Sequence, residues 1–281
     1  MLTQVKAYSA WASAPTMLLA DGGREETDLI QVRDIQGLDP VKGTVTTAAY
    51  GSVDGAAYTG SDVLTRNIVL TLHPNPDWKD WTFEKLRRLV YLYFMPKLQT
   101  RLVFYDDEIP PMSIYGIVES CEANPFAKDV EIQVSIICPD PYFTALNPTV
   151  IAAQSSDGTT PTEIQYDGDI ETPIVVEVTR LLDPNPTTIG IQVGDPSLTY
   201  FNIPGASVNA NMYFIMSSLP GMKYIQNVNL GSGVITNLLN KLQQGSDWPM
   251  LVPGENDFSV ITDTPGKQDW QLTYYERRGG L

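Results

Sequence analysis

Histidine is nearly absent: among 281 residues there is one, His73. A Ser-His-Asp or Cys-His centre would have to be built on that single base. It stands in the turn-like run His73-Pro74-Asn75-Pro76, where a solvated ring is expected, and no Cys or second His lies at metal-ligand spacing from it. Cysteine is almost as scarce. Cys121 and Cys138 are too few for a secreted disulfide scaffold. With a turn expected near Asn124–Lys128 they do not face each other, so free, buried thiols in a reducing cytoplasm are expected. Charged residues make up only 18%, below the usual quarter of a globular chain. Basic residues are the rarer kind, 18 against 33 acidic, and the net charge of −15 argues against a protein whose main work is gripping phosphate backbones. No run approaches the ~18 apolar residues of a membrane-spanning helix. The first residues, with Lys6 and no continuous apolar core, do not read as a secretion signal. No short internal repeat is evident.

What is present is turn chemistry and alternation. Gly and Pro number 21 each and Tyr 14, while 43% of the residues are hydrophobic, enough for substantial cores. This composition suits many short strands joined by tight turns. The clearest stretch is Val130–Phe143, VEIQVSIICPDPYF. Val130, Ile132, Val134 and Ile136 fall on one face and Glu131, Gln133 and Ser135 on the other, the period of a half-buried strand. Pro139 and Pro141 remove two backbone donors and end it, and the residues before them are held extended. This is the last strand expected in a first domain.

Around it, residues 1–40 read as strands and loops, and Thr44–Tyr50 as β-rich. Gly51–Asp62, GSVDGAAYTGSD, has no periodicity and reads as a surface loop, or as an arm reaching a neighbouring subunit. Val63–Leu72 is a strand with Leu64, Ile68, Leu70 and Leu72 on one face; Arg66 interrupts it, as an edge or paired residue would. One helix is predicted over Thr82–Phe94, with Asp80 as N-cap, an apolar stripe of Phe83, Leu86, Leu89, Val90, Tyr93 and Phe94, and Pro96 as its stop. Arg87 and Arg88 fall on its solvent side. Strands follow at Thr100–Tyr105 and Met112–Cys121.

Residues 144–162 are weakly patterned and hold the domain boundary. Beyond them short strands recur, among them Met212–Ser217 and Met222–Val228 around Pro220-Gly221, and Phe258–Ile261 and Trp270–Tyr275 around Thr264-Pro265-Gly266-Lys267. Ile235–Leu242 allows about two helical turns. The predicted class is mainly β: an N-terminal β-sandwich-like domain with one packed α-helix, then a second β-sandwich or jelly roll.

No arrangement for bond-making chemistry emerges. There is no GxSxG elbow, P-loop or GxGxxG. Asp167-Gly168-Asp169 lacks the remaining ligands of a calcium loop. Asp106-Asp107-Glu108 are adjacent on a loop, whereas a glycosidase needs carboxylates held apart across a cleft. No catalytic residue, cofactor-binding residue or metal ligand is assigned. Trp78, Trp81, Trp248 and Trp270 are divided between core and interface or, in a second reading, stack on sugars.

Three stretches carry a resemblance: the exit Cys138-Pro139-Asp140-Pro141-Tyr142-Phe143; then Tyr166-Asp167-Gly168-Asp169 with Thr172-Pro173-Ile174; then Leu238-Leu239-Asn240-Lys241-Leu242, Gly245-Ser246-Asp247-Trp248 and Leu251-Val252-Pro253-Gly254-Glu255-Asn256. In this order the chain resembles the distal tail proteins of long-tailed bacteriophages. The resemblance implies a ring-forming N-terminal domain (1–145), a linker (146–163) and a galectin-like C-terminal β-sandwich (164–281). It implies a non-enzymatic structural protein at the distal end of the virion tail, made and assembled in the bacterial host cytoplasm. Six copies would close a homohexameric ring whose partners are the tail tube protein, the tail hub or tail-associated protein, the tape-measure protein and peripheral adhesion or side-fibre proteins. Neither stable nucleic-acid binding nor membrane insertion belongs to it. Six chains of −15 carry −90, and acidic groups lining the channel would repel passing DNA. The alternative function is a carbohydrate-binding module for host attachment through the C-terminal sandwich.

Overall fold

Strands with the expected alternation make up most of the computed structural model, which describes residues 2–9, 16–21, 29–51, 53–76, 80–124, 130–156, 160–181, 188–194, 201–204, 212–262 and 268–281. The chain divides into two units: Met1–Leu146 with Arg278–Leu281, and Asn147–Arg277. The stretch expected as a linker carries a strand of the second unit, and the last four residues return to the first.

The first unit contains β1 (Leu2–Ser9), β2 (Thr16–Asp21), β3 (Ile30–Gln36), β4 (Gly43–Ala49), β5 (Ala56–Val63), β6 (Arg66–Pro74), α1 (Phe83–Tyr93), β7 (Gln99–Asp106), β8 (Met112–Ala123), β9 (Ile132–Cys138) and β10 (Phe143–Ala145). Its main sheet runs β10-β8-β7-β1-β2-β3-β6-β9. It then closes on itself, because the twelve-residue β8 changes partner along its length. Residues up to Ile117 pair with β7, and those from Ile117 onward pair with β9, with a register shift between Val118 and Ser120. The sandwich-like domain expected from the sequence is thus one rolled sheet, bent where a long strand serves both sides.

Gly116 stands at this bend because little else fits. A Cβ there would lie 2.4 Å from Ile136 Cγ2 and 2.9 Å from Cys138 Sγ. The helix fills the roll with Leu86, Val90, Tyr93 and Phe94, all buried with Ile68, Leu70, Ile132, Val134 and Ile136. Each such aliphatic side chain contributes about 1.5–3 kcal/mol by leaving water. The N-cap is Thr82, in extended geometry, rather than Asp80, whose backbone carbonyl instead accepts from Lys85 Nζ at 2.8 Å. Arg88 is exposed as expected; Arg87 is half-buried, with its guanidinium 5.8 Å from the Phe83 ring.

The second unit contains β11 (Thr149–Ser156), β12 (Thr162–Tyr166), β13 (Thr172–Leu181), β14 (Thr188–Val193), β15 (Phe201–Pro204), β16 (Met212–Ser217), β17 (Tyr224–Asn229), β18 (Ile235–Asn237), β19 (Met250–Leu251), β20 (Gly254–Thr262) and β21 (Gln268–Tyr274); β22 (Arg277–Arg278) ends the chain's strands. One sheet runs β11-β21-β13-β16-β17-β18 and a second β12-β20-β14-β15. Both feed one core, where Phe258 of the smaller sheet meets Trp270 of the larger with ring centroids 4.6 Å apart. Two sheets facing across a shared core are the sandwich the sequence predicted.

The turns follow their residues. Pro220-Gly221 closes β16 to β17, with Met222 N–H donating to the Leu219 carbonyl at 3.0 Å and Gly221 at φ +75°. Asn256, 1% exposed, holds the Pro253-Gly254 turn through three hydrogen bonds to the backbone of Val252 and Gly254. The two helical turns expected over Ile235–Leu242 do not form. Ile235–Asn237 pairs with β17, and the Asn237 side chain accepts from the Leu239 amide at 2.8 Å, which leaves one 3₁₀ turn, Leu239–Lys241. The turns expected at Asn124–Lys128 and Thr264–Lys267 lie largely or wholly outside the described residues.

Candidate functional site: the hairpin arm and its anchored root

Gly51–Asp62, read from sequence as a loop or an arm, is largely one strand of a two-stranded hairpin. β4 pairs with β5 from Gly43↔Val63 to Ala49↔Ala56, and the pair belongs to none of the three larger sheets. Aperiodicity misled the reading because both faces of this hairpin meet solvent, so no alternation was selected. Val45, Tyr58 and Val63 are 62%, 67% and 42% exposed. One bulge interrupts the pairing at Thr46/Thr47, where Thr59 Oγ1 donates to the Thr46 carbonyl at 2.8 Å.

The root of the arm is held as firmly as its body is exposed. Arg66, which opens β6 just beyond the hairpin, is 2% exposed. It has no carboxylate partner among the described residues, and its guanidinium instead gathers backbone carbonyls. Nε donates to Pro141 at 2.6 Å, Nη1 to Asp39 at 2.8 Å and to Gly37, and Nη2 to Gly279. The cation also lies 4.5 Å from the Phe143 ring, which packs edge-on against Phe104. One side chain thus ties the segment before the arm, the proline-rich exit of β9 and the C-terminal return. Burial pulls the Arg66 pKa below its ordinary value, and Asp39 works in the opposite direction.

Two backbone features complete the root. Gly37 sits at φ +88°, and a Cβ on it would be 2.1 Å from the Asn67 carbonyl oxygen. Leu281 N–H donates to the Leu38 carbonyl at 3.0 Å. Leu2, Leu38, Phe104, Asp106, Ile109 and Leu281 line a cavity of about 270 Å³ nearby.

The residues weighed for chemistry are dispersed. His73 is half-buried near the end of β6, its Nδ1 3.1 Å from the Val130 carbonyl oxygen, and so is less solvated than a turn position suggested. Asp107 and Glu108 are exposed, and the Glu108 amide, 2.9 Å from Asp106 Oδ1, helps hold the Asp106 carboxyl below its usual range. Asp167 and Asp169 point to solvent, while Gly168 between them is buried: a Cβ there would lie 2.1 Å from Tyr166 Oη. That hydroxyl donates to the Ile170 carbonyl at 2.8 Å and accepts from the Arg277 amide at 2.9 Å, so the motif is a turn lock. Among the described residues no three His, Cys, Asp or Glu side chains gather as metal ligands would. Trp270 is fully buried, Trp81 packs on the first core, and Trp248 packs on the second with Lys223 Nζ 5.3 Å from its ring; Trp78 is outside the described residues. Trp270 is therefore closed to a sugar, while Trp81 and Trp248 are half-exposed.

Both cysteines are free: Cys138 is buried and Cys121 half-buried. Burial pushes both thiols up to about 12, reinforced at Cys121 by Glu122; at Cys138 Arg66 opposes the shift and Asp140 adds to it. At pH 8 Cys138 is therefore expected to resist alkylation until the chain unfolds, as mass spectrometry after iodoacetamide treatment would show. Because each folded-state pKa lies above that of the free thiol, this contribution to stability is intact below about pH 9 and is lost as pH rises toward 12. Cys138→Ala should flatten that alkaline loss in a denaturation series.

No family model matches the chain, and neither does any curated protein. Among solved structures, the SPP1 Dit protein, described as a paradigm of the hub adsorption apparatus in phages infecting Gram-positive bacteria, aligns over 97% of this chain and 98% of its own, at 16% identity and TM-score 0.65. The fold is that of a phage Dit hub protein. The baseplate of phage P2 in its calcium-activated conformation also aligns, over all of both chains, at 8% identity and TM-score 0.47. Within this Dit-like fold the recognised motifs mark junctions. The CPDPYF run is the exit of β9, Thr172-Pro173-Ile174 opens β13, and the Gly254 of Pro253-Gly254-Glu255-Asn256 begins β20, the first of the two long closing strands.

Proposed function

We propose that this chain is a structural virion protein, the distal hub that joins the tail tube to the tail tip or baseplate. In this reading six copies form a closed ring that surrounds part of the channel for DNA. The tail tube, the hub or tail-associated protein, the tape-measure protein and peripheral adhesion proteins are its partners, and it performs no catalysis. The single observation that carries the reading is the match to the SPP1 Dit fold over nearly the whole of both chains, across both units. The exposed hairpin supports it. An isolated two-stranded ribbon is marginally stable in water and is a natural element for a neighbour to cover. A ring of identical copies requires one patch on each subunit to meet a different patch on the next. The first unit supplies both patches, and the chain's acidity serves passage of DNA through the centre.

Negative-stain images and native mass of the purified full chain test this. Six-fold rings of six times 31.0 kDa are expected; a monodisperse monomer at high concentration, or a channel wall dominated by Lys and Arg, would count against it.

A further inference from the structure

Tyr8, Arg101 and Tyr115 stand side by side across β1, β7 and β8, on the face turned away from the first core. The Arg101 guanidinium lies 4.5 Å from the Tyr8 ring and 5.7 Å from the Tyr115 ring, and donates to Tyr115 Oη at 3.3 Å. One step along the same face, Lys6 Nζ sits 4.6 Å from the Tyr105 ring and 3.5 Å from its hydroxyl. Aromatic rings thus hold both cations in place. Tyr115 and Ile117 beside them remain 53% and 39% exposed. Tyr and Arg fixed on a strand platform are the composition of an interface centre.

What this surface lacks is an anion. The chain has 33 acidic residues, yet among the described residues neither Lys6 nor Arg101 has a carboxylate at ion-pair distance; their contacts are the tyrosines. Glu119, farther along β8, accepts from Ser135 Oγ at 2.8 Å instead. The spacing of the two cations is specific. Lys6 stands opposite Val103, so Arg101 is its diagonal neighbour across the strand pair. Such neighbours have Cα atoms about 7–8 Å apart. Alternate residues of an extended chain lie about 6.6–6.8 Å apart and point the same way. Two carboxylates separated by one residue in an extended segment therefore meet both cations, while the rings and Ile117 take the aliphatic parts. A nucleic acid fits less well, because two cations release few counterions against the repulsion of a chain of net −15. Among the described residues, this chain's own alternate acids are held in folded structure. Asp106 and Glu108 lie in a turn closed by their own hydrogen bond, Asp167, Asp169 and Glu171 around the turn locked by Tyr166, and Glu255 and Asp257 in β20, paired with β12. A free acidic strand has to come from elsewhere.

We propose that the face of β1, β7 and β8 around Lys6 and Arg101 binds an extended acidic segment of a different protein, one with Asp or Glu at alternate positions. The carboxylates sit on the two cations and the segment lies across the tyrosines. Because the rings already fix the cations, little side-chain freedom is lost on binding. The site is complete within one copy of the chain and goes beyond the ring reading, so removing its charges leaves self-assembly unchanged.

The test titrates the full chain against a fluorescein-labelled peptide alternating Glu and Thr, read by anisotropy at low ionic strength. The peptide should bind. Binding should weaken at least about tenfold for Lys6→Gln combined with Arg101→Gln, and by as much when Gln replaces Glu in the peptide. The double variant should keep its circular dichroism melt and its oligomeric state; if its melt falls, the Gln peptide alone decides. A single-stranded oligonucleotide of equal charge should not displace the peptide. A peptide that does not bind, or that the double variant or the Gln substitution leaves equally well bound, overturns the proposal. So does displacement by the oligonucleotide, which would mark a nucleic-acid site, or loss of assembly in the double variant, which would mark a contact between copies. The ring reading fails on a different result, a wild-type chain that stays monomeric.

Discussion

Arg66→Met is expected to destabilise the first unit by about 3–5 kcal/mol, because several buried carbonyls lose their donor at about 1–3 kcal/mol each. Methionine restores apolar volume beside Phe143 but donates nothing to the carbonyls of Gly37, Asp39, Pro141 and Gly279. Those acceptors lie in the packed root, where water replaces the lost donors poorly. Arg66→Lys should rescue only part of the loss, since an ammonium is a point donor and the carbonyls come from three separate segments. Chemical denaturation gives the magnitude. Hydrogen exchange gives the place: protection should fall first at residues 37–39, 141–143 and 279–281. A loss below about 1 kcal/mol, with protection unchanged there, would show that the clasp is incidental.

Trp270→Ala should cost the second unit about 3–5 kcal/mol, as deletion of a large fully buried aromatic does. Trp270 lies between the two sheets against Phe258, so its removal opens a cavity that two hydrogen-bonded ladders cannot collapse around. The indole Nε1–H is buried without an acceptor among the described residues. Trp270→Phe therefore discards an unpaired donor along with some volume, and should cost clearly less than the alanine variant. Measured unfolding free energies for the two variants decide it; equal losses would mean that the indole ring edge, and not the sheet-to-sheet aromatic contact, carries the stability.

The sequence by itself determined the local grammar of the chain. Alternation of Ile132, Val134 and Ile136 places a strand, Pro139 ends it, the Leu86–Val90–Phe94 stripe makes the helix, and Pro220-Gly221 and Pro253-Gly254 make turns. These depend on contacts a few residues apart, and the scarcity of histidine and cysteine narrows the chemistry without any structure. The tertiary structure alone decided that β8 divides itself between β7 and β9, that Gly43–Val63 stands free of the three larger sheets, and that Lys6 and Arg101 share a face with three tyrosines. Arg66 shows the reason most plainly. Its side-chain acceptors lie from 27 to 213 residues away in sequence, so its role is set by which distant segments pack beside it and leaves no periodic trace nearby.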